Sequence, residues 1–232
     1  MVKEAPTYTF ERIVEVISNI SNIEDRVYAE LLFWLACREG ELAPYVHYKH
    51  KYTKGHDGEP PRLKDKKQLS CSFGLNVDNI ELGDEYITIT NIPVFKTKNL
   101  SESKNGFVFK KGNPFFNDIY KYVAGRKAIR ERQKELGDVT AVYLFDVVPG
   151  GVKSIQQDFW ARRKRLERHL KKADKDFRIH SLRRSRATIA GDASGDVFYV
   201  RDLTGHKTVE MASRYVSKRR LFDSMKKYEV KE

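Results

Sequence analysis

Short segments of alternating apolar and polar residues, set among long segments of helical periodicity, most constrain how this chain can fold. Residues 85–96 alternate in this way and predict strands, and residues 106–109 predict a partner strand. Amphipathic helices are predicted at 8–20 and, capped by Asn22, from there to about 38–40. Further helices are predicted at 115–136, 154–174, 181–190, 197–204 and 208–228. The expected fold class is therefore mainly α with a small antiparallel β-sheet (α+β).

The length and the internal organisation indicate one domain. The 232 residues contain no internal repeat and no clear boundary, so a single domain over 1–232 is expected. Residues 47–70 are rich in lysine, glycine and proline, which predicts a basic, mobile loop or arm. Residues 217–232 are expected to form a C-terminal helix or tail.

The charge balance indicates a polyanionic partner. The chain has 44 Lys+Arg against 32 Asp+Glu, a formal net charge of +12, which suits nucleic acid. Cys37 and Cys71 form no disulfide framework or CxxC pair, and no signal-peptide segment begins the sequence. No apolar run approaches the roughly 18 residues of a membrane span. We therefore expect a soluble, cytoplasmic protein with no membrane partner.

The densest group of chemically capable residues lies in the last third of the chain. It contains His180, Arg183, His206 and Tyr215. Cleaving a phosphodiester without a metal needs a nucleophile, cations around the non-bridging oxygens, hydrogen-bond donors and an acid for the leaving 5′-oxygen. Arginine matches two phosphate oxygens with its planar fork, and histidine donates to them or moves a proton. A tyrosine can attack and hold the DNA end as an ester, so Tyr215 is the candidate nucleophile.

These residues fall in motifs with a characteristic order. The segment 180–183 resembles the H-x-L-R box of tyrosine recombinases and phage integrases, and 203–206 resembles their L-x-G-H box. Tyr215 follows His206 by nine residues, and Arg183 precedes His206 by 23 residues. Both separations are usual in that family. The resemblance extends over about 8–228 and implies a tyrosine-recombinase catalytic domain.

The resemblance also implies candidate residues upstream. The segment 32–42 is similar to the family's G-x-R-x-x-E-L signature, with Ala36 where glycine is usual. It implies that Arg38 is the other half of a phosphate clamp and that Glu41 orients groups of the site. The family's catalytic lysine lies on a β-hairpin, and 92–98 is the best match. Lys96 is accordingly the expected general acid, with Lys98 the next choice.

The implied activity is site-specific DNA recombination, the work of an integrase of a mobile element. Tyr215 would attack the scissile phosphate to give a 3′-phosphotyrosine intermediate, which a 5′-hydroxyl of a partner strand would reverse. No metal and no other cofactor is required by this scheme. The expected partners are double-stranded DNA and further copies of the chain, as a dimer or tetramer on DNA. Flanking phosphate contacts are expected from Arg184, Arg186, Lys207, Arg214 and Lys98.

The chain departs from the family in its N-terminal part. The Arg38 helix begins close to the N-terminus, so the family's N-terminal core-binding domain is expected to be absent. Either the catalytic domain has been separated from it, or the protein holds DNA in another way.

Other functions would use parts of the same pattern. A type IB topoisomerase-like enzyme would use almost the same five residues, and a catalytically inactive relative would only bind DNA. A metal nuclease would depend on carboxylates, and a basic structural protein would not depend on Tyr215. His47, His50, His56 and Cys71 match no standard zinc spacing.

Overall fold

The computed structural model describes residues 6–52, 63–72, 74–93, 103–104, 106–137, 143–145 and 152–216. Eight helices occur within these ranges: α1 Phe10–Ser18, α2 Ile23–Trp34, α3 Glu39–Leu42, α4 Phe116–Glu135, α5 Val152–Ala173, α6 Ile179–Ser194, α7 Val197–Thr204 and α8 Val209–Ser213. Asn22 caps α2 as predicted, because its side chain accepts a hydrogen bond from the Asp25 backbone N–H at 2.9 Å. The predicted helices are confirmed with two exceptions. Helix α2 ends at Trp34 and not near 38–40, because the chain turns at the left-handed Ala36. In the predicted helix 208–228, α8 ends at Ser213, and residues 217–232 lie outside the described ranges.

Seven short strands accompany these helices: β1 Tyr45–Tyr52, β2 Leu63–Ser72, β3 Ile80–Leu82, β4 Tyr86–Ile89, β5 Ile92–Pro93, β6 Ser103–Lys104 and β7 Phe107–Lys110. All their pairings are antiparallel: β1 with β2, β3 with β4, β4 with β7, and β5 with β6. The predicted fold class, mainly α with a small antiparallel sheet, is confirmed.

The segment 47–70, expected as a loop or arm, contains most of a strand pair. Tyrosine and valine in β1 favour extended backbone, and the register places Lys51 opposite Asp65. The glycine- and proline-rich part, 53–62, lies outside the described residues.

In the hairpin that follows, the alternation of buried and exposed residues shifts by one position. Ile87 pairs with Phe109 and Ile89 with Phe107, so these apolar residues share one face of the sheet. Asn91 then adopts a left-handed conformation with φ 49°, and the next buried position is Ile92 rather than residue 91. Ile92 pairs with Lys104, which places that lysine on the protein-facing side of the hairpin.

The buried residues form two adjoining clusters. The larger joins α1, α2, α4, α5 and α6 to the inner face of the sheet, with Phe33, Phe109 and Phe115 among its largest members. The smaller consists largely of alanines and valines from α6, α7 and the residues around α8. Small side chains let these helices approach closely. The loop between α2 and α3 contributes to both clusters, Cys37 to the larger and Ala36 to the smaller.

Among the described helices, none combines the length and the apolar character needed to cross a membrane.

Candidate active site

Arg38 lies at the turn between α2 and α3. Ala36 has φ 46°, in the left-handed region that a residue with a Cβ enters at a cost, so the chain reverses sharply just before the arginine. The Arg38 backbone N–H donates to Glu41 Oε2 at 2.9 Å, and its guanidinium donates to Glu41 Oε1 at 2.9 Å. Glu41 therefore fixes both the backbone and the side chain of Arg38.

Arg183 is the most deeply buried of the predicted cations that the structure describes, with 3% of its surface exposed. Its NH1 donates to the Ala36 carbonyl, and its NH2 donates to the Thr204 carbonyl at 2.6 Å. Burial, and then the charge of Arg38, lower the pKa of Arg183, although an arginine remains cationic at any physiological pH. The fork of Arg183 is thus held between the α2–α3 turn and the end of α7.

His206 follows α7 because Gly205 ends that helix in a left-handed conformation with φ 64°. Thr204 Oγ1 donates to the Val200 carbonyl at 2.7 Å and lies 2.9 Å from His206 Nδ1. The hydroxyl proton is therefore engaged, so Nδ1 carries the proton and donates to Thr204, which leaves His206 Nε2 as an acceptor 3.4 Å from Arg183 NH2. This geometry gives Thr204 and Gly205, the two residues before His206 in the L-x-G-H-like segment, a role in placing the histidine.

The ionisation of His206 follows from the same surroundings. Burial, followed by the charges of Arg183 and Arg38, lowers its pKa to about 4. His206 is therefore neutral at neutral pH.

Tyr215 lies two residues beyond α8, with its ring stacked on His206 at 5.8 Å between centroids and 9° between planes. Its backbone passes so close to α6 that a Cβ on Gly191 would lie 2.2 Å from the Tyr215 carbonyl oxygen. Only glycine permits this approach. Gly191 thereby places the candidate nucleophile against the helix that carries Arg183.

His180 is exposed on the first turn of α6 and opens onto a cavity of about 460 Å³. Arg38 and Arg183 line the same cavity, as do Trp160 and Arg163 of α5. The Arg163 guanidinium lies over the Trp160 ring at 5.1 Å from its centroid. The cavity thus combines the predicted cations with an aromatic wall.

Lys104, which the sequence analysis did not select, also belongs to this group. Its Nζ lies 3.0 Å from Glu41 Oε2, and only 1% of its side chain is exposed. Burial alone would raise the pKa of Glu41, but Lys104, Arg183 and Arg38 together outweigh it and lower that pKa below its usual value. Glu41 is therefore a buried carboxylate that is charged at neutral pH.

The sequence held signals for Lys104 and Gly191, although weak ones. Lys104 stands just before the 106–109 strand. It faces inward only because the alternation of buried and exposed residues shifts by one position at Asn91. Gly191 directly follows the predicted helix 181–190, where a glycine is typical of a helix end. In the structure it lies inside α6, where a glycine costs about 1 kcal/mol relative to alanine and so indicates a packing role.

The remaining predicted residues occupy varied positions. Lys207 and Arg214 are exposed, and Arg184 is half-buried. Arg186 is half-buried, with its guanidinium 4.8 Å from the Trp34 ring centroid and its Nε donating to the Trp34 carbonyl at 3.2 Å. Lys96 and Lys98 lie outside the described residues, and the DNA contacts assigned to all these side chains stay predictions.

The arrangement can bind an anion and surround it with hydrogen-bond donors. Among Arg38, Arg183, Lys104 and Glu41, three cations meet one carboxylate, so a positive charge remains beside the cavity. Within the described ranges, no three His, Cys, Asp or Glu side chains converge as metal ligands would. Two arginine forks can bind the oxygens of a phosphate group.

Comparison with known proteins identifies the fold. The chain is similar to the XerH site-specific recombinase bound to difH substrate in a pre-cleavage complex, with TM-score 0.56 and 16% identity over 100% of this chain and 56% of the XerH chain. It is also similar to the XerA recombinase, with TM-score 0.53 and 16% identity over 100% of this chain and 67% of that one. The chain thus spans little more than half the length of XerH.

The sequence comparison gives the family. A search of curated proteins finds no match. Residues 70–220, which include every predicted catalytic residue except Arg38, match the phage integrase family. Together with the shared recombinase fold, this match shows that the chain belongs to the phage integrase family and has the fold of a tyrosine-recombinase catalytic domain.

Proposed function

We propose that this chain cleaves and rejoins DNA strands in site-specific recombination, with Tyr215 as the nucleophile. The observation that supports this most is the convergence of Arg183, His206 and Tyr215, from three separate elements, beside the Arg38 turn. A protein that only bound DNA would not need a tyrosine stacked on a histidine that contacts a buried arginine.

The proposed chemistry begins with the scissile phosphate between Arg38 and Arg183, whose forks hold its non-bridging oxygens. The Tyr215 oxygen attacks phosphorus and loses its proton to a histidine of the site. The bond from phosphorus to the 5′-oxygen breaks as the new bond to Tyr215 forms, giving a 3′-phosphotyrosine. Lys96 donates the proton that the 5′-oxygen takes up. A 5′-hydroxyl of a partner strand then attacks and releases Tyr215, so no bond energy is lost.

The two histidines are expected to act with the arginines. Burial, and then the surrounding cations, lower the pKa of His206. The negative charge of a bound phosphate offsets the cations, so this histidine gains a proton and donates to the phosphate through Nε2. His180 lines the same cavity from the first turn of α6 and serves as a further donor or base. Neither step requires a metal ion.

Double-stranded DNA is the proposed substrate. Helix α5 presents Lys164, Arg168, Lys171 and Lys172 as exposed cations. Lys207, which follows His206, and Arg214, which precedes Tyr215, are also exposed. With Arg184, Arg186 and Lys98, these residues are proposed to contact phosphates on either side of the cleaved bond, which makes binding depend on salt. Recombination needs at least two strands, so we propose a dimer or tetramer on DNA.

The test is a nicked suicide DNA substrate incubated with the wild type and with Tyr215→Phe in the presence of EDTA. The substrate carries the attachment site of the element, or a pool of sequences. A covalent adduct on a denaturing gel with the wild type alone supports the proposal. Adduct formation by both proteins would show another nucleophile, and salt-sensitive binding with no adduct would favour a DNA-binding relative.

A further inference from the structure

Lys104 is buried at the centre of the site and is not among the residues to which the reaction assigns a step. Its Nζ lies 3.0 Å from Glu41 Oε2, 3.4 Å from the Ala36 carbonyl oxygen and 3.6 Å from Cys37 Sγ. All three partners are buried, and only 1% of the Lys104 side chain is exposed. Its ammonium is therefore directed at buried protein groups.

The contacts of Lys104 reach both clamp arginines through shared partners. Glu41 receives Lys104 on one oxygen and the Arg38 guanidinium on the other. The Ala36 carbonyl receives Lys104 and also NH1 of Arg183. Each arginine thus shares an acceptor with the lysine, and a shift of Lys104 would change the position of both.

Because Glu41 and Lys104 are buried, losing their contact costs more free energy than it would at the surface. A buried carboxylate that loses one of its cations is strongly destabilised, so Glu41 must keep its partners in place. A simple buried ion pair would need only one carboxylate and one cation. Here the carboxylate also caps the Arg38 backbone, and the lysine also contacts the carbonyl of the strained residue Ala36.

Lys104 also connects this turn to the hairpin. It belongs to β6, which pairs with β5, and residues 94–102 between these strands include Lys96 and Lys98. We propose that Lys104 is a positioning residue, which sets the separation of the Arg38 and Arg183 forks. This inference rests on the proposed function, because it assigns the groups that Lys104 positions.

The first experiment compares Lys104→Met with Lys111→Met in single-turnover cleavage. Lys111 follows the same hairpin but is exposed and pairs with Glu85 at 2.9 Å, so it serves as the matched control. Lys104→Met is expected to cleave about 10- to 100-fold more slowly, with DNA affinity nearly unchanged, because misplaced clamps impair the transition state more than binding. Cleavage by Lys104→Met at the rate of Lys111→Met would overturn the inference.

A second substrate separates positioning from acid catalysis. Sulfur in place of the bridging 5′-oxygen gives a thiolate leaving group that needs no proton. This substrate is expected to restore cleavage by Lys96→Met and to leave Lys104→Met slow. Restoration of Lys104→Met would make Lys104 the general acid and overturn the positioning role.

Two further measurements cover loss of folding and loss of function. Glu41→Gln combined with Lys104→Met removes both charges together, so it is expected to unfold at a higher temperature than Lys104→Met and to remain slow in cleavage; wild-type cleavage by this pair would contradict the inference. The Nε–Hε NMR signals of Arg38 and Arg183 should move in Lys104→Met and stay in place in Lys111→Met. These signals are independent of cleavage: no adduct with the wild type would refute the proposed function, whereas unmoved arginine signals would refute the role of Lys104.

Discussion

Glu41 and Glu30 are both buried glutamates, yet their surroundings drive them to opposite ionisation states. Glu41 meets Arg38, Lys104 and Arg183, and its pKa is lowered. Glu30, on α2 where it faces α4, has a pKa raised to about 8 by burial and by the nearby charge of Asp118, against a smaller opposing effect of Arg26. A buried glutamate stays charged in this fold where cations outnumber carboxylates. That holds at the site, whereas between α2 and α4 two carboxyl groups, Glu30 and Asp118, lie near one cation, Arg26.

The largest expected effect on cleavage comes from removing the carboxylate charge of Glu41. Glu41→Gln leaves Arg38, Lys104 and Arg183 without their shared anion, so we expect cleavage to fall about 100-fold and the free energy of unfolding to fall by about 3 kcal/mol. Glu30→Gln is the matched control, since it removes a carboxylate of the same length from the other region. Single-turnover cleavage and urea unfolding measure the two effects. Equal losses in both variants would mean that the two regions do not differ in this way.

Two glycines, Gly191 on α6 at the site and Gly125 on α4, extend the comparison from charge to packing. Gly191→Ala would force the Tyr215 backbone away from α6, so we expect about 10-fold slower cleavage and a loss of about 1–3 kcal/mol in stability. Gly125→Ala on α4 meets nothing within 4 Å, and should raise stability by about 0.5–1 kcal/mol without affecting cleavage. Wild-type cleavage by Gly191→Ala would show that this contact does not position the nucleophile.

Substitutions of exposed residues that line the cavity should affect DNA binding and cleavage less than substitutions of the buried ones. Trp160 is 39% exposed and stacks with Arg163. Trp160→Ala should weaken DNA binding about 3-fold, as the loss of one exposed aromatic–cation contact would, and Trp160→Phe should retain most of the affinity. Fluorescence anisotropy with a labelled duplex measures both variants. A cleavage defect in Trp160→Ala larger than its binding defect would place Trp160 in the chemistry.

The helices, the hairpin and the motif residues of the site were predictable because each depends on local periodicity or on spacing along the chain. The boxes 180–183 and 203–206 indicated Arg183 and His206, and the structure brings these residues together with Tyr215 and Arg38. Lys104 was not predicted, because its inward direction depends on the left-handed Asn91. The role of Gly191 depends on a contact with residues more than 20 positions away. Long-range contacts of this kind leave no periodic signal in one sequence.

Glu30→Gln is expected to have little effect on cleavage but the clearest dependence of stability on pH. Because its pKa is raised to about 8 in the folded protein and is near 4.5 when unfolded, the folded state binds the proton more tightly between these values. Its contribution to stability is therefore complete below pH 4.5 and is lost as the pH rises through 8, by at most about 1.4 kcal/mol per pH unit. Glu30→Gln keeps the neutral form at every pH. Its melting temperature should match the wild type near pH 5 and exceed it near pH 9, with cleavage changed by less than about 2-fold. Parallel melting curves across this range would show that Glu30 is charged in the fold and that the contrast with Glu41 is not one of ionisation.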